Sequence, residues 1–309
     1  MPRVVVTRAL PEPALAALRA SGADVWVSPH ERALEADELH AAMRGADAAV
    51  TMLHDRVDGT FLDAAGPQLR VVANVAVGYD NVDVDVVRDR GVALTNTPGV
   101  LTDATADLAI ALMLAITRRL GEGERLIRSR EPWAWAIDFM LGRGLRGKTL
   151  GIVGYGAIGR AVADRAGAFG MDVVHTRRGP GGVELDELLE RSHVVSLHCP
   201  LTDETRHLID AGALRAMRDD AYLVNTARGP VVDEPALAAA LRDGVIAGAA
   251  LDVFEDEPEV HPDLLGLDNV VLVPHLGSAT EETRTAMAEL AAANVVAVLR
   301  GDEPLTPVL

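Results

Sequence analysis

Apolar positions along this chain fall into two alternating patterns. From Val4 to Thr95, short β-branched runs alternate with stretches of helical periodicity: VVVTRA then PALAALRA, DVWVS then ADELHAAMRG, AAVTML, RVVANVAV then VDVDVVRDRG, and VALTN. The apolar runs read as strands, the periodic stretches as helices covering them, and repeated units of this kind predict a small doubly wound parallel sheet. A long helical stretch begins near Leu101, where Thr102 or Asp103 is placed to cap it, and runs through DLAIALMLAITRRL. A second alternation opens at LRGKTLGIVGYG and continues through AIGRAVADRAGAFG, MDVVH, LDELLERS, HVVSLH, AYLVNTA, PALAAALRDG, IAGAALDV and VVLVPH. That is the element order of a Rossmann-type domain. The closing pattern, ETRTAMAELAAANVVAVLRG, is expected to return to the first sheet. The fold class is therefore α/β, with two doubly wound parallel-sheet domains. A Rossmann domain at 99–280 is inserted into a smaller flavodoxin-like domain at 1–98 and 281–309.

Composition narrows the picture. At 309 residues the chain suits two cores better than one. Hydrophobic residues make up 49% but aromatics only 3%, so those cores must be built from Val, Leu, Ile and Ala, which fits parallel sheets covered on both faces. The formal charge of −17 repels nucleic acid and anionic membranes, so neither is an expected partner, and an anionic ligand needs a local basic pocket. The apolar run Leu108 to Ile116 is about half the length a bilayer requires and is closed by Arg118 and Arg119, so it reads as a buried helix. The opening MPRVVVTRAL moves straight into a strand pattern with no signal-peptide character, which predicts a cytoplasmic location. One cysteine, Cys199, excludes an internal disulfide framework and a cysteine zinc cluster; no metal site is expected.

Gly154, Gly156 and Gly159 in GIVGYGAIG form GxGxxG between an apolar strand and an amphipathic helix. In that context the glycines supply a tight turn, a close approach to pyrophosphate and close helix–strand contact. Tyr155 lies in the same loop, and the amides of Ala157 and Ile158 at the helix start are free to meet phosphate oxygens. The next strand, MDVVHTRR, addresses the ribose. A site for NAD typically carries an acidic residue about twenty positions beyond the fingerprint. Here Thr176, Arg177 and Arg178 stand instead, a hydroxyl and two guanidinium groups suited to a 2′-phosphate. NADP(H) is the favoured cofactor, with NAD(H) the alternative if both arginines are solvated loop residues.

Three segments carry chemistry at or near strand ends: NTARGP with Arg228, LDVFEDEP with Glu257, and VPHLGSAT with His275. Hydride transfer to a 2-oxo acid needs a cation to hold the carboxylate and polarise the carbonyl, and an acid to protonate the nascent alkoxide. Arg228 and His275 match those needs, with Glu257 placed to bond the imidazole, fix its tautomer and favour its protonated form. Singly, each has a bland reading as an ion-paired or solvated residue; jointly they form a constellation. His193 and His198, read in one strand at odd separation, point to opposite faces and are read as structural. Cys199 has no oxyanion site nearby and is read as packing.

At these residues the sequence resembles the D-isomer-specific 2-hydroxyacid dehydrogenases over essentially its full length. The resemblance rests on NVAVGYDNVDVD, TNTPGVLTDATADLA, GIVGYGAIGR, PLTDETRHLI, LVNTARGPVVDEPAL, GAALDVFEDEP and NVVLVPHLGSATEETR, in the family's order. Within the family it looks closest to the glyoxylate/hydroxypyruvate reductases. The resemblance implies a small 2-oxo or D-2-hydroxy acid as substrate, with Arg228, Glu257 and His275 catalytic and the flavodoxin-like domain as the substrate domain. It implies substrate contacts at Leu53, Val77 and Gly78 besides Arg228 and His275. For the cofactor it implies Thr105, Cys199, Pro200, Thr226, Ala227, Arg228, Asp252, His275 and Gly277 in addition to the glycine loop, with Asp252 suited to holding the carboxamide. It also implies a homodimer formed through an arm at about 101–140, in which Trp133 and Trp135 are core, interface or substrate-facing residues. Glu257, where formate dehydrogenases of this fold carry Gln, argues against formate, and Ala76, where phosphite dehydrogenases carry Lys, argues against phosphite. A rival class, the dinucleotide-sensing corepressors that share the fold, would be marked by an added interaction tail, which GDEPLTPVL does not resemble.

Overall fold

Val4 and Val6 face one side of strand β1 (Arg3–Val6) and Val5 the other, and all three are fully buried, as expected for a strand sandwiched between helices. The computed structural model in which they sit describes residues 1–176 and 181–308. Contacts divide the chain into two units, Met1–Leu101 with Ala279–Leu309, and Thr102–Ser278.

The first unit runs β1, α1 (Glu12–Ala20), β2 (Asp24–Val27), α2 (Ala36–Met43), β3 (Ala48–Thr51), α3 (Gly59–Ala65), β4 (Val71–Asn74), α4 (Val84–Asp89) and β5 (Ala93–Thr95), and closes with α12 (Glu281–Arg300). Its strands are parallel in the order β2-β1-β3-β4-β5, a flavodoxin-like sheet. Val5, Met43, Phe61, Val72 and Leu94 pack on one face. Val4, Val6, Leu18, Ala288 and Val295 pack on the other, which brings α12 back onto the first sheet.

The second unit contains α5 (Thr102–Thr117), α6 (Leu120–Ser129), β6 (Thr149–Val153), α7 (Ala157–Ala168), β7 (Asp172–Thr176), α8 (Leu185–Arg191), β8 (Val194–Leu197), α9 (Ala211–Ala216), β9 (Tyr222–Asn225), α10 (Glu234–Arg242), β10 (Gly248–Leu251), α11 (Pro262–Leu265) and β11 (Val270–Leu272). Its six parallel strands lie in the order β11-β10-β9-β8-β6-β7. Leu150 and Ile152 on β6 pack with α5 and α7, while Val153, Val195 and Leu197 pack with α8 and α10. The apolar run at 108–116 is the buried stripe of α5, with Ala109, Ile110, Leu112, Met113 and Ile116 in the core. Among the described residues no helix is long and apolar enough to cross a membrane.

Strand order reverses between β6 and β8, so the loops at the carboxyl ends of these two strands border the ligand crevice of such a sheet. Two local readings are revised. The helix begun at Leu101 does not continue unbroken through the two arginines, because Arg119 adopts a left-handed φ of 55° and α6 starts afresh after it. His193 and His198 flank β8 rather than lying within it.

Candidate active site

The loop after β6 is shaped by what its glycines lack. Gly154 has φ +94°, and a Cβ there would lie 2.6 Å from the backbone nitrogen of Cys199, so the first glycine lets the loop touch the chain leaving β8. A Cβ on Gly159 would lie 2.3 Å from the Gly154 carbonyl oxygen, so the third glycine seats α7 against the loop. At Gly156 a Cβ would meet nothing within 4 Å, which leaves room for a ligand to approach the backbone. Gly156 is the N-cap of α7 and offers no side-chain cap, so the first amides of the helix, Ala157 and Ile158 among them, are without a side-chain acceptor there. Open backbone and uncapped amides at a helix start suit a pyrophosphate.

Tyr155 stacks flat on the His175 ring, with centroids 3.8 Å apart. The Thr176 hydroxyl accepts from the Gly154 N–H at 3.3 Å and keeps its own proton to donate. Arg177 and Arg178 lie outside the described residues.

On the neighbouring strand end, His198 Nε2 meets the Ser196 hydroxyl at 2.8 Å, and burial pulls the imidazole down to about 4. Burial also pushes the Cys199 thiol up to about 11, so it is not a thiolate near neutral pH. Pro200 is exposed, and its carbonyl accepts from the Thr205 hydroxyl at 2.7 Å. His193 Nδ1 accepts from the Thr149 N–H at 3.1 Å, a structural tie between strands. Among the described residues no group of three or more histidines, cysteines or carboxylates is placed to hold a metal ion.

Beyond β9 the chain turns through Thr226, Ala227 and Arg228. Buried Asn225 shapes this turn, accepting from the Ala227 N–H at 3.0 Å and donating to the Arg228 carbonyl at 2.9 Å. Arg228 is half-buried, and its guanidinium donates to the Ala227 carbonyl at 2.9 Å. A Cβ on the next residue, Gly229, would lie 1.8 Å from the Phe254 carbonyl carbon, so the chain just past Arg228 rests directly on the segment that leads to Glu257.

His275 follows β11 with a left-handed φ of 53°, its N–H donating to the Asp252 carbonyl at 2.8 Å. His275 Nδ1 lies 2.8 Å from Glu257 Oε2, while Glu257 Oε1 accepts from the Phe254 N–H at 3.0 Å. Burial would raise the Glu257 carboxyl, but the hydrogen bond and charge of His275, the Phe254 amide and the Arg228 charge together hold it below the usual carboxylate range. An ionised Glu257 fixes Nδ1 as the donor, leaving Nε2 for proton transfer. Asp252 is 1% exposed and accepts from the N–H groups of Leu276 and Gly277 at 2.5 and 2.8 Å; burial raises its carboxyl. Buried Thr105 donates from its hydroxyl to the Gly277 carbonyl at 3.1 Å. Thr105 and Asp252 thus both grip the turn that follows His275.

In the first unit, half-buried Leu53 follows β3, and Val77 and Gly78 follow β4. The Val77 carbonyl accepts from the Asn96 amide at 2.9 Å and the Gly78 carbonyl from the Asn74 amide at 3.0 Å. Asn225 lies inside the NTARGP motif but carries no sequence signal of its own, because its work is done on backbone groups of its own turn.

Residues 110–277 match the family model described as D-isomer specific 2-hydroxyacid dehydrogenase, NAD binding domain. The chain is 48% identical to a glyoxylate reductase of Thermococcus onnurineus over 99% of its own length and 95% of the relative's. Among solved structures, a glyoxylate reductase from Paecilomyes thermophila superposes with a TM-score of 0.89 at 33% identity, covering 99% of this chain and 98% of that one. An NADPH-dependent glyoxylate/hydroxypyruvate reductase from Sinorhizobium meliloti, in complex with NADP and malonate, superposes with a TM-score of 0.84 at 35% identity, covering 99% and 96%.

Proposed function

The chain belongs to the D-isomer-specific 2-hydroxyacid dehydrogenases, in their glyoxylate reductase group, and from that premise we propose that it is an NADPH-preferring reductase of glyoxylate, hydroxypyruvate or a similarly short 2-oxo acid. The observation that carries this reading is the 2.8 Å contact of His275 with an ionised Glu257, with the Arg228 charge acting on the same carboxylate.

The reduced nicotinamide, when bound, supplies the hydride. Arg228 holds the substrate carboxylate and polarises the keto group, and His275 Nε2–H protonates the oxygen as negative charge develops on it. Glu257 keeps the ring in its productive tautomer and stabilises the imidazolium. The His275 side chain is 31% exposed, enough to regain its proton from solvent. Gly154, Tyr155, Gly156, Ala157, Ile158 and Gly159 seat the pyrophosphate; Thr176, Arg177 and Arg178 read the 2′-phosphate. Cys199 and Pro200 border the adenosine, while Thr105, Thr226, Ala227, Asp252 and Gly277 serve the nicotinamide half. Leu53, Val77 and Gly78 are substrate contacts, which makes the first unit the substrate domain.

We further propose a homodimer built on the arm that contains α6, in which no residue is buried. Leu120, Ile127, Trp135 and Ile137 are all more than half exposed there.

A steady-state panel of 2-oxo acids with NADPH and NADH tests the assignment. Turnover of glyoxylate or hydroxypyruvate with NADPH preferred is expected; cofactor binding without turnover of any 2-oxo acid defeats it. Arg177→Asp with Arg178→Ala should move preference towards NADH, and an unchanged selectivity ratio would remove the arginines from 2′-phosphate reading.

A further inference from the structure

Glu234, at the start of α10, is 4% exposed, and a carboxylate so buried needs compensation. It finds it in two backbone amides far along the chain. Oε1 accepts from the Glu255 N–H at 2.7 Å and Oε2 from the His261 N–H at 3.3 Å. Those amides bracket the segment that carries Glu257. Glu255 returns the bond: its Oε2 accepts from the Glu234 N–H at 3.3 Å, and its Oε1 pairs with His207 Nε2. The His207 N–H in turn donates to the Pro230 carbonyl at 2.8 Å, two residues past Arg228. The start of α10, the segment after Arg228 and the segment holding Glu257 are thereby joined in one polar network around a single buried side chain.

We propose that Glu234 is a positioning residue for the reduction, its carboxylate pinning residues 255 and 261 so that Glu257 meets His275 Nδ1. The inference rests on the catalytic reading of Glu257 and His275 given above. An apolar side chain at 234 would remove a buried charge but leave two amides without acceptors, and the 255–261 segment would be free to relax. A shift of about an ångström there is enough to lose the imidazole contact, and losses of roughly tenfold or more in rate follow misplacements of that size. Burial raises the Glu234 carboxyl, opposed by the two amides, and the Glu255 charge raises it further; His261 and His207 are the other titratable groups of the network.

A double-mutant cycle on the full-length protein tests this, with kcat, the cofactor Kd and the pH profile of kcat read for each variant. Glu257→Gln alone should lower kcat and move the loss of reduction on the alkaline side to lower pH, since the anion beside the imidazole is gone. Glu234→Ala should lower kcat by roughly tenfold, leave the cofactor Kd unchanged and move the profile the same way. In the Glu257→Gln background it should add almost nothing. Glu234→Gln keeps one acceptor, should fall between wild type and Ala, and carries the cycle if the Ala variant does not fold. A loss of the same factor in both backgrounds, or an unmoved pH profile, reduces Glu234 to a stability residue and overturns the proposal. An inert Glu257→Gln defeats instead the catalytic reading on which it rests.

Discussion

His275 occupies a left-handed backbone conformation that costs a side chain about 1 kcal/mol or more, and the surroundings hold it there. Its N–H goes to the Asp252 carbonyl, and Asp252 takes the next two amides, so the turn is set from below while Glu257 sets the ring. His275→Ala should lower kcat by about a hundredfold or more with little change in affinity for the nicotinamide cofactor; unchanged turnover takes the imidazole out of the mechanism. His198 makes a prediction about stability. Its ordinary value near 6.5 falls to about 4 in the fold, so above pH 6.5 neither state binds the proton. Between 6.5 and 4 the unfolded chain binds it first, and stability declines as pH falls through that window. Replacing His198 with Asn should flatten the change in Tm across the same window, and an identical slope in both proteins would assign the acid sensitivity elsewhere. Arg228, Glu257 and His275 were legible in the sequence because their motifs stand next to strand ends. Glu234 was not, since its side chain acts on amides 21 and 27 residues away.

At the scale of elements, the glycine loop separates what the fold needs from what a ligand needs. Gly156→Ala introduces a Cβ into open space at a negative φ, so the fold should keep its Tm while cofactor binding weakens about tenfold through lost approach to the backbone. Gly159→Ala drives a Cβ towards the Gly154 carbonyl and should cost about 1–3 kcal/mol, measured by denaturant unfolding. A reversal of that order, with Gly156→Ala the less stable protein, would contradict the division of labour. Most strands and helices follow from apolar periodicity, but α3, α9 and α11 were not anticipated, nor was α6 beyond its first residue. The first three have only seven, six and four residues, which leaves little room to show a period, and α6 buries none of its residues. For two of them the signal was a cap: Asp58 accepts from the Thr60 and Phe61 amides, and Asp210 from Gly212 and Ala213.

At the scale of the whole molecule, α6 and the residues after it expose seven large hydrophobic side chains, Leu120, Ile127, Trp133, Trp135, Ile137, Phe139 and Leu141. An open groove of about 650 Å³ there is lined by Leu120, Gly123, Ile127 and Met140 together with the charged Arg118, Arg119, Glu124 and Arg128. Trp133 stacks on Phe139 at 5.9 Å and is itself half exposed. If this face pairs with its copy, Ile127→Glu with Trp135→Ser should convert a dimer to a monomer in sedimentation velocity without loss of secondary structure, and a wild-type monomer at working concentration would refute the pairing. What the sequence determined unaided is local: most of the strands and helices, their order, the glycine turn and the −17 charge, because periodic burial and turn chemistry involve neighbouring residues. Only the tertiary structure decided that β6 lies between β7 and β8, that Gly229 rests on Phe254, and that the buried carboxylate of Glu234 accepts from the amides of Glu255 and His261 on either side of Glu257. Such contacts join positions with no shared period, so they are selected by which surfaces pack and which backbone amides would otherwise lack an acceptor.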